Sequence, residues 1–406
     1  MTKTRGKGGF PPEFVERVIE SVDPIQIYGR YTNLKRSGKN FRGLCPFHRE
    51  KTPSFYVDPD RGLFYCFGCG KGGNVITFLM EKEGLSFPEA IEFLAREAGI
   101  PIPERRTFSP KTQNLHEALE TAHNFFYENL FSPEGRRGLD YLAERGISVG
   151  FARQFRFGWA PDSWDSLKKF VERRGLPIKP FVDVGLLIEN PETKSYYDRF
   201  RGGVIIPIYG TSGRVVGFGM RALDPGDGPK YINSPDSPVF HKSEILFGLD
   251  RARRAIRKQG YAALVEGYFD VLSLWQAGIE NVVASCGTAF TAQHAHLLAR
   301  FTKKVVVFYD GDSAGLKATY RALKMLLAHE LVVKIARPPK GMDPDDVARQ
   351  WSRTKIERLF QSAPDWFDFS VEIARTQTDW SQIESKLHFA DRIGQYIYSL
   401  GDSLLG

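Results

Sequence analysis

Glu266, Asp270, Asp310, Asp312, Asp343 and Asp345 fall in three short motifs: Glu266-Gly-Tyr-Phe-Asp270, Asp310-Gly-Asp312 and Asp343-Pro-Asp345. Each follows an apolar run and precedes a helical pattern, so each is expected at the carboxyl end of a strand, where open parallel sheets bind ligands. Converging carboxylates repel one another, which raises their pKa values unless cations neutralise them. Mg²⁺ takes oxygen ligands and keeps waters that nucleotide phosphates can replace. Two such ions can activate an attacking hydroxyl and stabilise a leaving oxygen. The acids therefore suggest a divalent-metal site (Mg²⁺ or Mn²⁺, two or more ions) acting on nucleotide phosphates. Glu266, ending the first strand of the set, is the candidate for proton transfer. For any one motif alone, an acid satisfying exposed N–H groups at a helix N-terminus is the competing explanation, and Asp270 is the acid it fits best.

A second constellation lies near the start. Cys45-Pro-Phe-His48 and Cys66-Phe-Gly-Cys69 are ligand pairs of identical spacing, separated by 17 residues. Four N/S ligands suit one tetrahedral zinc ion and leave no open position, so the site is expected to be structural. Gly68 and Gly70 are expected to supply the positive φ that such a knuckle needs. A module this small has a marginal core, and structural zinc adds about 10–16 kcal/mol of apparent binding energy. Lys35, Arg36, Lys39, Phe41, Arg42, Phe55, Phe64 and Phe67 interleave charge and rings around the ligands. Such a surface can stack bases and hold phosphates, although the rings could equally fill the core.

These groups must be positioned by more than one domain, because 406 residues exceed what a single core usually serves. Apolar residues make up 42% and charged residues 26%, ordinary for a globular chain, and no apolar run approaches the roughly 18 residues that span a bilayer. Met1 to Gly9 is basic and Gly-rich, expected to be a disordered tail rather than a secretory leader, and a cytoplasmic location follows. Arg199 to Lys258 holds eleven Lys and Arg against five acids, which is most of the net charge of +8 and sits just before the acidic motifs. Periodicity predicts helices at Glu13–Ser21, Asn74–Glu83, Phe87–Ala98, within Gln113–Arg145 and at Leu246–Lys258. It predicts strands at Val204–Ile208 and Val215–Met220, then a strand–helix alternation from Ala262 to Ala336 that implies a parallel sheet flanked by helices. Residues after Pro344 are expected to be helical.

Taken together, the motifs resemble one family. Cys45-Pro-Phe-His48 with Lys51-Thr-Pro-Ser-Phe55 and Cys66-Phe-Gly-Cys-Gly70 is similar to the zinc-binding domain of bacterial DNA primases of the DnaG family. Tyr197-Asp-Arg-Phe-Arg201, Gly217-Phe-Gly219 with Arg221, and Pro229-Lys-Tyr-Ile-Asn-Ser-Pro235 resemble its basic polymerase segment, and the acidic motifs resemble its Toprim fold. The resemblance implies an α/β chain: a zinc-ribbon module (1–103), a linker (104–112), a mixed α+β basic subdomain (113–258), a parallel-sheet Toprim subdomain (259–343) and a helical tail (344–406). It implies synthesis of short RNA primers on single-stranded DNA from ribonucleoside triphosphates. Glu266, Asp310, Asp312, Asp343 and Asp345 would be catalytic or metal-binding, with Asp270 beside them. Arg145, Arg199, Arg201, Arg221, Lys230, Asn233 and Lys242 would hold template, nascent RNA primer or nucleotide. Gly203 and Asn74 stand where the family often has arginine and aspartate. The family's helicase-binding C-terminal domain is missing from these residues, so the chain is expected to be a fragment or a short member, and contact with the replicative helicase through that domain is not implied. The competing functions are another Toprim enzyme (topoisomerase or nuclease) and a non-catalytic zinc-dependent DNA-binding protein.

Overall fold

Apolar residues recur at every second position of the short strands near the zinc ligands, and Phe55, Val57, Phe64 and Cys66 are buried while Tyr65 faces outwards. This period of two makes a sheet with one covered face. The structure, a computed structural model, describes residues 10, 12–85, 87–101, 110–224, 226, 228–376 and 378–398. The expected tail at 1–9 lies outside them, as does the expected linker up to residue 109; residues 110–112 begin a helix. Two compact units are present, Met1–Pro110 and Lys111–Gly406.

The first unit runs α1 (Pro12–Ser21), α2 (Pro24–Gly29), β1 (Lys35–Ser37), β2 (Asn40–Gly43), β3 (Phe55–Asp58), β4 (Leu63–Cys66), β5 (Gly72–Asn74), α3 (Val75–Glu83) and α4 (Phe87–Glu97). The five strands pair antiparallel in sequence order. Asn74 caps α3 by accepting hydrogen bonds from the Ile76 and Thr77 amides, a task an aspartate would perform equally. Tyr28 packs edge-on against Phe55, Phe64 and Phe78 beneath the sheet.

The second unit opens with α5 (Pro110–Leu130), α6 (Arg136–Glu144), α7 (Val149–Phe155), β6 (Gly158–Ala160), α8 (Ser166–Arg173), α9 (Ile178–Asp183), β7 (Leu187–Glu189) and β8 (Tyr196–Asp198). It continues through β9 (Gly203–Tyr209), β10 (Val215–Ala222) and β11 (Tyr231–Asn233), which with β6 form an antiparallel sheet of order β11-β10-β9-β6. Gly203 belongs to this close pairing: a Cβ there would sit 2.6 Å from the Arg221 carbonyl oxygen, so an arginine could not enter unchanged.

The rest is the α/β part: β12 (Leu246–Phe247), α10 (Leu249–Gln259), β13 (Ala262–Val265), α11 (Tyr268–Gln276), β14 (Val282–Ser285), α12 (Ala292–Ala299), β15 (Lys304–Val307), α13 (Ser313–Leu327) and β16 (Val332–Ile335). Helices α14 (Pro344–Gln350), α15 (Arg353–Ser362), α16 (Trp366–Thr376) and α17 (Ile383–Tyr398) follow. The sheet order is β12-β14-β13-β15-β16, with β14, β13, β15 and β16 parallel. Both faces are covered, Val265 and Val306 in one core and Leu264 and Val305 in the other, which explains apolar runs without alternation. One expectation needs correction. Leu246 and Phe247 do not begin a helix; they form an antiparallel edge strand on β14, and Gly248 at φ +85° turns the chain into α10. Both residues are buried, and that tertiary pairing outweighs the helical periodicity. Among the described residues no helix is long and apolar enough to cross a membrane.

Candidate functional site

The zinc ligands come from two turns, one after β2 and one that begins with the last residue of β4, Cys66. Cys45, His48, Cys66 and Cys69 place one ligand atom each within 4.8 Å of all the others. Cys45 Sγ and Cys69 Sγ are 3.8 Å apart, as are Cys66 Sγ and His48 Nδ1. The edge of a tetrahedron with zinc–sulfur bonds of about 2.3 Å is ~3.8 Å, so the donor set fits a zinc ion. Glu50, which the sequence did not single out, organises these turns. Its carboxylate accepts from the amides of Cys45 (2.6 Å) and Ser54 (3.0 Å) and from Ser54 Oγ (2.5 Å), and lies 3.2 Å from His48 Nε2. That leaves His48 Nδ1 to face the thiols. Burial works to raise the Glu50 carboxyl, but the Ser54 and Cys45 hydrogen bonds outweigh it and hold the group below its ordinary value. Gly70 has the expected positive φ, +73°, but Gly68 does not. Gly68 is there for space: a Cβ would lie 2.7 Å from His48 Nε2 and 2.9 Å from Ser54 Oγ.

The aromatic residues divide between the two roles left open for them. Phe55 and Phe64 are core residues, whereas Tyr65 and Phe67 are exposed at 46% and 72%. Phe67 packs edge-on against Tyr56 (5.3 Å) and Tyr65 (4.9 Å), and the Arg42 guanidinium lies 5.8 Å from the Tyr56 ring centroid. Strand alternation was the available signal, since Tyr56 and Tyr65 each follow a buried phenylalanine.

In the α/β sheet, β14 lies on one side of β13 and β15 on the other. Such a reversal opens a crevice at the carboxyl ends of the strands. Glu266 follows β13 there and Asp310 follows β15. Glu266 Oε1 is buried with no hydrogen-bond partner, and burial together with the Asp310 charge raises the Glu266 carboxyl. Burial and the charges of Asp343 and Asp312 raise Asp310 in turn. An orphaned oxygen on a carboxyl raised by burial and a neighbouring acid is what a bound cation would relieve, so these residues fit a divalent ion. Asp312 caps α13 through Oδ1 to the Gly315 amide (2.7 Å), and Asp343 caps α14 through Oδ1 to the Asp346 amide (2.7 Å). Each leaves its second oxygen outside that bond. Asp310, Asp312, Asp343 and Asp346 line an open cleft of about 810 Å³.

Asp270 and Asp345 are used differently. Asp270 accepts from the Gly267 amide (2.8 Å) and caps its own helix; burial pushes it up to about 7. Asp345 is 2% exposed and accepts from Ser273 Oγ (2.5 Å) and from Arg145 Nη1 (3.1 Å), with Arg349 Nη2 at 3.2 Å. The expected metal role for Asp345 is thus set against a carboxylate already engaged by three partners. Among the described residues, the Cys/His set is the only group of three or more such ligands gathered closely enough for one ion.

The basic residues also divide. Arg145 lies near the Tyr141 and Phe269 rings (5.7 and 5.5 Å), and Arg221 donates through Nε to Tyr141 Oη (3.1 Å). Tyr141 therefore holds both guanidinium groups in one neighbourhood. Asn233 Oδ1 accepts from Tyr268 Oη (2.8 Å) at the start of α11, and Lys230 is exposed next to β11. Arg199 is tied through Nε to the Gly185 carbonyl oxygen (2.6 Å), and Arg201 stacks 4.0 Å over Trp164 and donates to the Asp198 carbonyl oxygen. Lys242 is partly exposed, and its carbonyl oxygen lies 2.8 Å from His294 Nε2.

Three family models match: CHC2 zinc finger over 10–110, the N-terminal domain of the DNA primase catalytic core over 125–253, and Toprim-like over 263–348. The crystal structure of the Aquifex aeolicus primase, comprising zinc-binding and RNA polymerase domains, is 37% identical; the match covers 96% of this chain and 93% of that one, with a TM-score of 0.64. The chain belongs to the bacterial DnaG primase family. The DNA primase of Halalkalibacterium halodurans is 42% identical over 353 residues, covering 86% of this chain and 59% of that relative. A DnaG primase catalytic domain solved bound to ssDNA is 33% identical, covering 73% of this chain and 94% of that one, with a TM-score of 0.63. The chain spans about 60% of the length of the curated DnaG relatives it matches. The CHC2 match and the Cys/His group together support structural zinc, and the Toprim-like match implies a divalent cation.

Proposed function

We propose that this chain synthesises short RNA primers on a single-stranded DNA template from ribonucleoside triphosphates. The observation that carries the reading is Glu266 beside Asp310 at the crevice where the sheet order reverses, with a buried, unpartnered carboxylate oxygen. Glu266, Asp310, Asp312 and Asp343 would hold Mg²⁺ or Mn²⁺, which when bound neutralises charge on the reacting phosphates. The raised Glu266 carboxyl suits it to accept the proton of the attacking 3′-hydroxyl. The new bond joins that oxygen to the α-phosphorus of the next nucleotide, the α–β phosphoanhydride bond breaks, and pyrophosphate leaves. Arg145 and Arg221, set by Tyr141, would orient the strand phosphates, and Asn233, Lys230, Lys242, Arg199 and Arg201 would add contacts to template, primer or nucleotide. Placement and electrostatic preorganisation of this kind account for most of phosphoryl-transfer catalysis. The exposed Tyr65, Phe67 and Arg42, with the half-buried Tyr56, would stack template bases in the zinc module. The relative solved with ssDNA supports the choice of template.

Glu266→Gln should lower labelled-primer synthesis by about 10²-fold or more while leaving oligonucleotide affinity, measured by fluorescence anisotropy, within twofold. Wild-type priming by the variant would refute the assignment. Relaxation of supercoiled plasmid without any primer would point to a different Toprim activity.

A further inference from the structure

The cleft that carries Asp310, Asp312 and Asp343 is also lined by Arg337, Pro338, Pro339, Lys340, Gly341 and Met342, between β16 and α14. We infer that Arg337 and Lys340 form a polyphosphate-binding rim that takes the β- and γ-phosphates of the incoming ribonucleotide and the pyrophosphate it releases. This deepens the polymerase reading and rests on it.

The loop is built to hold these two cations in place. Ala336 extends β16 by donating its amide to the Val307 carbonyl oxygen (2.9 Å). Two consecutive prolines then fix φ near −65°, and Pro338 is buried against the Asp310–Asp312 loop, where a Cβ on Gly311 would lie 3.7 Å from Pro338 Cγ. The Met342 amide donates to the Pro339 carbonyl oxygen (3.0 Å), closing a four-residue turn with Gly341 at φ +81°. That is the position and sign of φ for which a tight turn selects glycine. Lys340 stands at the tip of this turn. Arg337 leaves the loop at its start, its guanidinium 5.9 Å from the Phe369 ring.

Both side chains are exposed, and neither makes an ion pair with an acid among the described residues. Asp346, the acid next to them, is paired with Arg349 at 2.9 Å. Two cations without an acidic partner thus line the same cleft as acids that repel one another. An acidic cleft alone would take a cation and repel a triphosphate. A cleft with a separate basic rim can hold a cation at the acids and the outer phosphate oxygens at the rim. Arg337 supplies a planar fork and Lys340 a mobile point charge, the combination suited to adjacent phosphates. The same phosphate chemistry could come from a nucleic-acid strand, but a rim of two cations three residues apart on one loop, lining the same cleft as the metal-binding acids, matches a short polyphosphate better than an extended backbone.

The test is the Arg337→Ala/Lys340→Ala double variant of the full chain, with Mg²⁺ present. Both side chains are exposed, so its melting temperature should match the parent's. Calorimetric titration with inorganic pyrophosphate should give a Kd raised about tenfold or more, as expected for lost charge-assisted contacts. The apparent KM for ATP in primer synthesis should rise in parallel, with oligonucleotide affinity within twofold of the parent. Lys340→Arg should retain pyrophosphate binding. Unchanged pyrophosphate Kd, no pyrophosphate binding by the parent, or an equal loss of oligonucleotide affinity would each overturn the rim. Absence of primer from the parent would sink the polymerase reading instead, while the pyrophosphate titration would still judge the rim by itself.

Discussion

Glu50 and His123 show how single buried groups set local chemistry. Glu50 gathers the Cys45 and Ser54 amides, Ser54 Oγ and His48 Nε2 around one carboxylate. Removing such an outer partner typically weakens metal affinity about 10–100-fold. Glu50→Gln should therefore lose zinc to a chromophoric chelator at a correspondingly lower chelator concentration; an unchanged competition curve would exclude the role. His123 is 1% exposed, with Nε2 2.9 Å from the Arg156 carbonyl oxygen and Nδ1 unpartnered. Burial pushes its pKa down from 6.5 to about 4. The folded state then binds fewer protons than the unfolded state between those values, so stability is fully present above pH 6.5 and lost as pH falls through about 4. The loss should approach about 3 kcal/mol. In urea titrations at a series of pH values, His123→Gln should flatten the stability profile between pH 6.5 and 4, and an unchanged slope would count against His123 as its source.

Among the elements, the end of α6, the middle of α11 and the start of α14 meet at Asp345 through Arg145, Ser273 and Arg349. Tyr141 extends the same junction to β10 by taking Arg221. Breaking a buried charge pair leaves its partners uncompensated and costs about 3–5 kcal/mol, less where the arginines are partly solvated as here. Asp345→Asn should lower the unfolding free energy measured in urea by about 2–3 kcal/mol and release Arg145, raising the apparent KM for the DNA template. The Mg²⁺ concentration giving half-maximal activity should stay where it is, whereas Asp343→Asn should move it upwards. A shift of the metal requirement by Asp345→Asn as large as that by Asp343→Asn would restore Asp345 to the metal site.

For the whole molecule, the zinc ligands all belong to the Met1–Pro110 unit and the acidic cleft to the Lys111–Gly406 unit. The zinc unit combines a five-stranded sheet with four helices over a modest core, and structural zinc adds stability comparable to that of a typical domain. Cys66→Ser should abolish zinc content and the cooperative melting of that unit, read by circular dichroism. The transition belonging to the second unit should persist. Retained zinc and an unchanged first transition would defeat the assignment.

How much of this was legible in the sequence depends on the range of the interaction involved. Paired ligand spacings, the strand–helix alternation of the α/β part and the charge excess before it are local patterns, and they lead to the zinc site, the sheet type and the acids at its strand ends. The edge strand Leu246–Phe247 was not legible, because two apolar residues have no period and only pairing with β14 defines them. Asp343 and Asp345 could not be told apart in the sequence for the same reason. Asp345 differs from Asp343 because Arg145, 200 residues away in sequence, and Ser273, 72 residues away, occupy its oxygens. Glu266 differs because burial leaves one oxygen without a partner. Sequence by itself determined which chemistry was available, an oxygen-rich metal site beside positive charge and a closed zinc knuckle. Only the tertiary structure decided which carboxylates stay open to ligand, since that choice is made by neighbours brought together through the fold.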